Sequence, residues 1–174
     1  MRHAVIPALV AALFAGTAHA AGLDVKVTVP RINAAEYHRP YVAIWVETPN
    51  QDIATTLAVW YAQSNKDNGE GKGTKWLKDL RQWWRKGGRD LTMPVDGVSG
   101  ATKPVGEHTL SFVEGQAPLG KLAAGEYNLV VEAAREKGDR ELVRIPFKWP
   151  AQKAESLKAS GTSELGTISL EVKP

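Results

Sequence analysis

Cysteine is absent from the 174 residues, methionine occurs twice and histidine only four times. The missing cysteines exclude disulfides, zinc ribbons, iron–sulfur ligation, a thiol nucleophile and a lipidated-cysteine anchor. With so few thiol, thioether or imidazole groups, the chain has little metal or redox chemistry of its own. Neither sign of charge dominates, since 22 basic residues face 19 acidic ones for a formal charge of +3. Although the pI is near 9.1, so small a surplus is no nucleic-acid footprint. Past the N-terminus, no apolar run is long enough to span a membrane. What is present is ordinary for a globular domain: 43% hydrophobic and 24% charged residues, which argues against wholesale disorder. Aromatics are 7% of the chain, yet six of them are Trp.

The first residues read as an export signal. Arg2 gives a positive start, an apolar stretch runs from Ala4 to Ala15 with Pro7 inside it, and Ala18-His19-Ala20 has the small-x-small pattern of a signal-peptidase site. Cleavage after Ala20 leaves one domain over residues 21–174 and removes Arg2, His3 and His19. The expected protein is exported and periplasmic, without stable membrane insertion. Lacking disulfides, it is held by its core alone, which a chain of this length can supply.

The rest alternates in the manner of strands. Candidate strands run over Leu23–Val29, Tyr41–Glu47, Thr56–Ala62, His108–Val113, Glu126–Ala133, Glu141–Trp149 and Gly166–Val172. Turn signals such as Glu114-Gly115, Ala124-Gly125 and Lys137-Gly138-Asp139 lie between them. Seven short strands so punctuated predict a mainly β, antiparallel sandwich of immunoglobulin or fibronectin type. One segment breaks the pattern. Thr74 is a candidate cap for an amphipathic helix over 75–86, inserted between strands and closed by Gly87-Gly88. At 100° per residue, Trp76, Leu77, Leu80, Trp83 and Trp84 share one arc, and Lys75, Lys78, Arg81, Arg85 and Lys86 the other. The basic arc is either a solvated face or a docking face for an anionic partner or cofactor. The polar, Gly-rich stretch Asn65–Gly73 reads as a loop.

The most informative stretch is Asp96-Gly97-Val98-Ser99-Gly100-Ala101-Thr102. It resembles the acceptor motif of bacterial FAD:protein FMN transferases, Asp-x-x-(Ser/Thr)-Gly-Ala-(Ser/Thr), at every specified position. A chance match arises in about one chain per thousand of this length. The resemblance implies that Thr102 carries FMN through a phosphoester, with base and metal supplied by the transferase. Small residues at Gly97, Gly100 and Ala101 allow close approach to the backbone. Asp96 suits a brace for the turn, Ser99 occupies the motif's first hydroxyl position, and Lys103 stands ready to pair with the attached phosphate. The plainer reading is a tight loop made of ordinary turn residues.

A wider likeness runs through Arg39-Pro40-Tyr41-Val42-Ala43-Ile44-Trp45, Trp76–Trp84, Ser99–Pro104 and Glu132–Glu136. These segments resemble the exported bacterial family catalogued as domain of unknown function 2271. That resemblance implies a periplasmic protein that travels with flavin transferases and with membrane reductases bearing PepSY-like domains.

Other constellations are weaker. His38 and His108 are far apart in sequence and lack the spacing of a metal site. No Gly-x-Ser-x-Gly elbow or phosphate-binding Gly-rich loop is present, so no catalytic residue is assigned and the chain is not expected to be an enzyme. Trp45, Trp60 and Trp149 read as core or strand-edge residues, whereas Trp83 and Trp84 serve either as core or as stacking surface for an isoalloxazine ring. Two functions follow: a periplasmic electron carrier with FMN on Thr102, or a cofactor-free binding or assembly module.

Overall fold

The structure is a computed structural model that describes residues 20–63 and 72–174. The export signal, and most of the Gly-rich stretch expected to form a loop, lie outside the described residues. Among them run nine strands: β1 (Gly22–Val29), β2 (Tyr41–Glu47), β3 (Ile53–Tyr61), β4 (Ser99–Ala101), β5 (Gly106–Val113), β6 (Gly125–Ala134), β7 (Arg140–Trp149), β8 (Glu155–Ser160) and β9 (Thr167–Lys173). They form a four-stranded sheet in the order β5-β1-β9-β8 and a five-stranded sheet in the order β4-β3-β2-β6-β7.

The sequence pattern explains the layering. In β1, Leu23, Val25, Val27 and Val29 are buried while Asp24, Lys26 and Thr28 alternate outward, as on a sheet with one covered face. Leu23, Val25 and Val27 meet Val42, Ile44, Val46, Leu129, Val131 and Ile145 of the other sheet in one apolar core. Burying each such side chain contributes about 1.5–3 kcal/mol. β2 does not alternate: Val42 to Glu47 are all buried, because the five-stranded sheet is covered on both faces. On its outer face, Ala43, Trp45, Val59, Tyr61 and Val130 pack under Leu77, Leu80 and Trp83 of the segment joining β3 to β4. A continuous apolar run is the signature of that double coverage.

All seven expected strands form. Two more, β4 and β8, also form: β4 is too short to show a pattern, and β8 has only a brief alternation at Leu157 and Ala159. β4 is only three residues long and pairs in parallel at the edge beside β3. β8 is mostly exposed, with only Leu157 and Ala159 partly covered.

The expected helix over 75–86 is not continuous. A 3-10 helix covers Lys72–Asp79, Leu80 turns the chain at φ −75° and ψ 71°, and α1 follows over Arg81–Lys86. Thr74 therefore does not cap it, since the helical turn already includes that residue. Instead, the Glu132 carboxylate on β6 accepts the first free N–H groups of α1, those of Gln82 and Trp83. The C-terminal end behaves as expected, Gly87 donating its N–H to the Trp83 carbonyl. The break also redirects a side chain. With 3.0 residues per turn rather than 3.6, Trp76 leaves the apolar arc and stands 48% exposed, while Leu77, Leu80 and Trp83 stay buried.

Candidate functional site

The Asp96–Thr102 segment is a braced turn leading into an edge strand. The Val95 carbonyl accepts the N–H groups of Val98 (3.2 Å) and Ser99 (2.9 Å), and the Val95 N–H donates to Ser99 Oγ (2.9 Å). Ser99 thus holds both ends of its own turn. Gly97 sits at φ +72°, a conformation that favours glycine. Val98 anchors the turn in the outer core, and its carbonyl accepts the Val59 N–H at 2.9 Å. Gly100 lies opposite Trp60 in the β3–β4 register, and a Cβ there would stand 3.2 Å from Trp60 Cδ1. Asp96 and Ala101 are exposed. The Lys103 ammonium lies over the Trp60 ring, 5.5 Å from its centroid, and His108 meets the same ring edge-on at 5.8 Å.

Thr102 follows directly, half-buried, and opens onto a cleft of about 1130 Å³, ample for a small molecule. The cleft is assembled from distant pieces of chain. Tyr37, His38 and Arg39 come from the approach to β2, and Tyr41 and Ala62 from ends of β2 and β3. The turn after β6 supplies Arg135 to Arg140, and the helical insertion supplies Lys75, Trp76, Asp79 and Arg81. Trp76 presents ring surface, with the Lys75 and Lys78 ammonium groups 4.7 and 5.9 Å from its centroid. Both lie within the range of a cation–π contact.

Six cationic side chains and the carboxylates of Asp79, Glu136 and Asp139 line the cleft. Three cations are already held: Arg135 by buried Glu164 (2.8 Å), Arg140 by buried Glu132 (3.0 Å) and Lys137 by Glu36. Arg39, Lys75 and Arg81 have no carboxylate within 4.0 Å among the described residues. The Lys137 ammonium holds the Glu36 carboxyl below its ordinary range and is itself raised in return. Burial pushes the Tyr41 phenol up, and its hydroxyl donates to the Gly73 carbonyl at 3.0 Å. His38 bridges Glu36 (3.0 Å) and Glu136 (3.6 Å). Two buried polar atoms in the lining, Tyr37 Oη and Arg135 Nη1, have no hydrogen-bond partner.

The structure thus brings Thr102, but not Lys103, to the cleft, and it gives Ser99 and Gly100 to the turn that supports Thr102. The stacking role considered for Trp83 is closed to it, because that ring is fully buried and donates its Nε1–H to Thr56 Oγ1 at 3.2 Å. Trp84 is half-buried beside Leu77, Leu91 and Met93, in a second small groove. Trp76 is the tryptophan at the cleft. Tyr37, Tyr41, Arg81 and Arg140 join it there without any spacing in the sequence to foretell it. His38 and His108 enter different surroundings, the latter bonding the Pro104 carbonyl at 2.8 Å. Among the described residues, no group of three or more metal-ligating side chains gathers, and no helix is long and apolar enough to cross a membrane.

Two sheets around one core, a helical insertion covering one outer face and a cleft between insertion and strand ends define a mainly β, sandwich-like protein. Residues 22–167 match the family described as predicted periplasmic protein (DUF2271), and the chain belongs to that family. Neither a curated protein nor a solved structure matches it.

Proposed function

We propose that the protein carries electrons in the periplasm on a flavin mononucleotide joined by a phosphoester to Thr102. The observation that carries this reading is that Thr102, the last residue of the acceptor-like motif, opens onto the cleft beside Trp76, Tyr41, Arg39 and Arg81. The lining suits the group, with aromatic surface for a ring and unpaired guanidinium donors.

In the modification, Thr102 Oγ forms the new bond to the phosphorus on the flavin side of FAD, the pyrophosphate link breaks and AMP leaves. The hydroxyl proton passes to a base of the FAD:protein FMN transferase, which also brings the metal. Gly97, with nothing within 4 Å of a Cβ, keeps the approach open, and the Val95–Ser99 hydrogen bonds hold the turn in one shape. Once bound, the flavin supplies reversible two-electron chemistry. This chain binds and orients it: Thr102 fixes one end, the aromatic walls offer surface for the ring, and Arg39 and Arg81 offer positive charge. A membrane reductase with PepSY-like domains is the reductant, and a second exported redox protein takes the electrons on.

The same reading takes the architecture to be of immunoglobulin type. What supports it is the order β7-β6-β2-β3 in one sheet and the pairing of β1 with β5 in the other, the β8–β9 hairpin then taking the place of a first strand. Lys78 and Arg85, exposed and outside the cleft lining, favour the second reading, a cofactor-free module that docks an acidic partner.

The test is production with the export signal in a host that has an exported flavin transferase, followed by intact mass and visible spectrum. The expected result is one FMN per chain, lost in Thr102→Ala. No increment, or an increment that survives Thr102→Ala, overturns the carrier reading and leaves the docking module.

A further inference from the structure

Trp76 is the large apolar side chain that the fold leaves most open among the described residues: 48% exposed, against 38% for Leu91 and for Val105. Nothing in the packing requires an indole there, since the apolar contacts of the insertion are made by Leu77, Leu80 and Trp83. Yet its surroundings are specific. Lys75 and Lys78 both set ammonium groups against the ring, and the ring lines the cleft onto which Thr102 opens. The same cleft is lined by Arg39, from the approach to β2, and by Arg81 of the insertion, both exposed and without a carboxylate partner, while the other two arginines of the lining are engaged by buried glutamates.

We propose that Trp76 is the wall against which the isoalloxazine ring of a flavin on Thr102 packs, and that Arg39 and Arg81 stabilise the negative charge the ring gains on reduction. The inference rests on the Thr102 reading above and adds the residues that position and tune the group. A planar, electron-poor ring gains most from an offset stack on an electron-rich indole. Two electrons and one proton from a reductant convert the neutral ring to an anion. Unpaired guanidinium groups in a partly enclosed cleft lower the energy of that anion relative to the neutral ring, which raises the midpoint potential. Asp79, Glu136 and Asp139 line the same cleft and act in the opposite sense. Lys75 is a third unpaired cation of the lining, beside Arg39 and Arg81, and removing either arginine shifts the balance toward those carboxylates.

The experiment uses the exported, flavin-loaded protein, with loading counted by intact mass. Flavin emission per bound flavin rises several-fold in Trp76→Leu and stays quenched in Trp76→Tyr, because tyrosine also donates an electron to the excited ring. Far-UV circular dichroism and thermal midpoint are unchanged in both, since the ring is half exposed. In dithionite titrations, Arg39→Gln and Arg81→Gln lower the midpoint potential, whereas Arg85→Gln, outside the cleft lining, leaves it in place. Full loading with unchanged emission in Trp76→Leu overturns the wall assignment. Full loading with unshifted potentials in both arginine variants overturns the charge assignment. Absent loading in the unaltered chain sinks the Thr102 reading and this inference with it.

Discussion

Glu132 Oε2 accepts the backbone N–H of Trp83 at 2.9 Å, tying the five-stranded sheet to the first turn of the helix that covers it. The same carboxylate accepts the Gln82 N–H at 3.0 Å and an Arg140 Nη1 donor at 3.0 Å, and it is fully buried. α1 has Leu80 at its N-cap position and no capping side chain of its own. Glu132 therefore does the work of the missing cap from another element.

Glu132→Ala leaves two helix N–H groups and one guanidinium without their acceptor. The expected loss is about 2–4 kcal/mol of unfolding free energy, set by the two unsatisfied helix N–H groups, since Arg140 is 36% exposed and stays in contact with water. Glu132→Gln, which keeps an acceptor oxygen but loses the charge, is expected to cost about 1–3 kcal/mol. Urea unfolding of both variants checks the order. Equal stability of Glu132→Ala and the unaltered chain would count against the carboxylate as the cap.

How far the sequence foretold this is itself a matter of physics. β1 and β7 are legible because one-sided burial leaves an alternating trace, and β2 and β6 because two-sided burial leaves a continuous one. The helix was legible as amphipathic but not as broken, since the apolar spacing of Leu77, Leu80 and Trp83 suits an α-helical face as well as the observed 3-10 turn and bend. Its cap was invisible because Glu132 lies far off in the chain. Of the candidate site, the turn from Asp96 to Thr102 could be read directly, being one contiguous segment. The cleft could not: Tyr37, Trp76 and Arg140 meet only because β2, the insertion and the β6–β7 turn end at the same corner.

Glu47 gives the protein a pH dependence. Burial works to raise its carboxyl, but the hydrogen bond from Arg144 (2.9 Å) and the ion pair with Lys86 (3.0 Å) overcome that and hold it below the ordinary 4.5. Glu141 is likewise lowered, burial being outweighed by N–H bonds from Thr162, Leu165 and Ser163. A carboxylate whose folded pKa is depressed stabilises the fold above its unfolded pKa and loses that contribution as pH falls through the folded value. Unfolding free energy should therefore hold above about pH 5 and decline below about pH 4.5. Glu47→Gln and Glu141→Gln should each be less stable at neutral pH and show a shallower acid decline. An unchanged slope in both would remove these two groups as its source.

Arg135 and Glu164 join the two sheets beside the cleft. Arg135 follows β6, Glu164 sits between β8 and β9, and the pair is bidentate at 2.8 and 3.0 Å with both side chains buried. Glu164 also accepts the Asp139 N–H at 2.9 Å, fixing the turn that lines the cleft. Glu164→Leu alone strands a buried guanidinium and should cost about 3–5 kcal/mol. Adding Arg135→Met removes that stranded charge, so the double variant should recover more than half of the loss. Chemical denaturation of the four proteins of this cycle measures the coupling, and a double variant no better than Glu164→Leu would contradict it.

The fit of β4 against Trp60 makes Gly100 a sensitive position. A Cβ at Gly100 would lie 3.2 Å from Trp60 Cδ1, closer than ordinary contact, and Trp60 is itself 2% exposed within the core. The indole has little room to yield, because His108 meets one edge and Phe112, Leu119 and Ile168 share its core. Gly100→Ala asks the ring to move by a few tenths of an ångström and should cost under about 1 kcal/mol, whereas Gly100→Val adds methyl groups into the contact and should cost about 1–3 kcal/mol. Gly97→Val acts differently. Nothing lies near the new Cβ, but φ of +72° is unfavourable for any L side chain, at about 1–2 kcal/mol. Thermal unfolding separates the causes when each is combined with Trp60→Phe, which frees space beside Gly100 only. Partial rescue of Gly100→Val without rescue of Gly97→Val is the expected outcome, and equal response of the two would refute the contact as the origin.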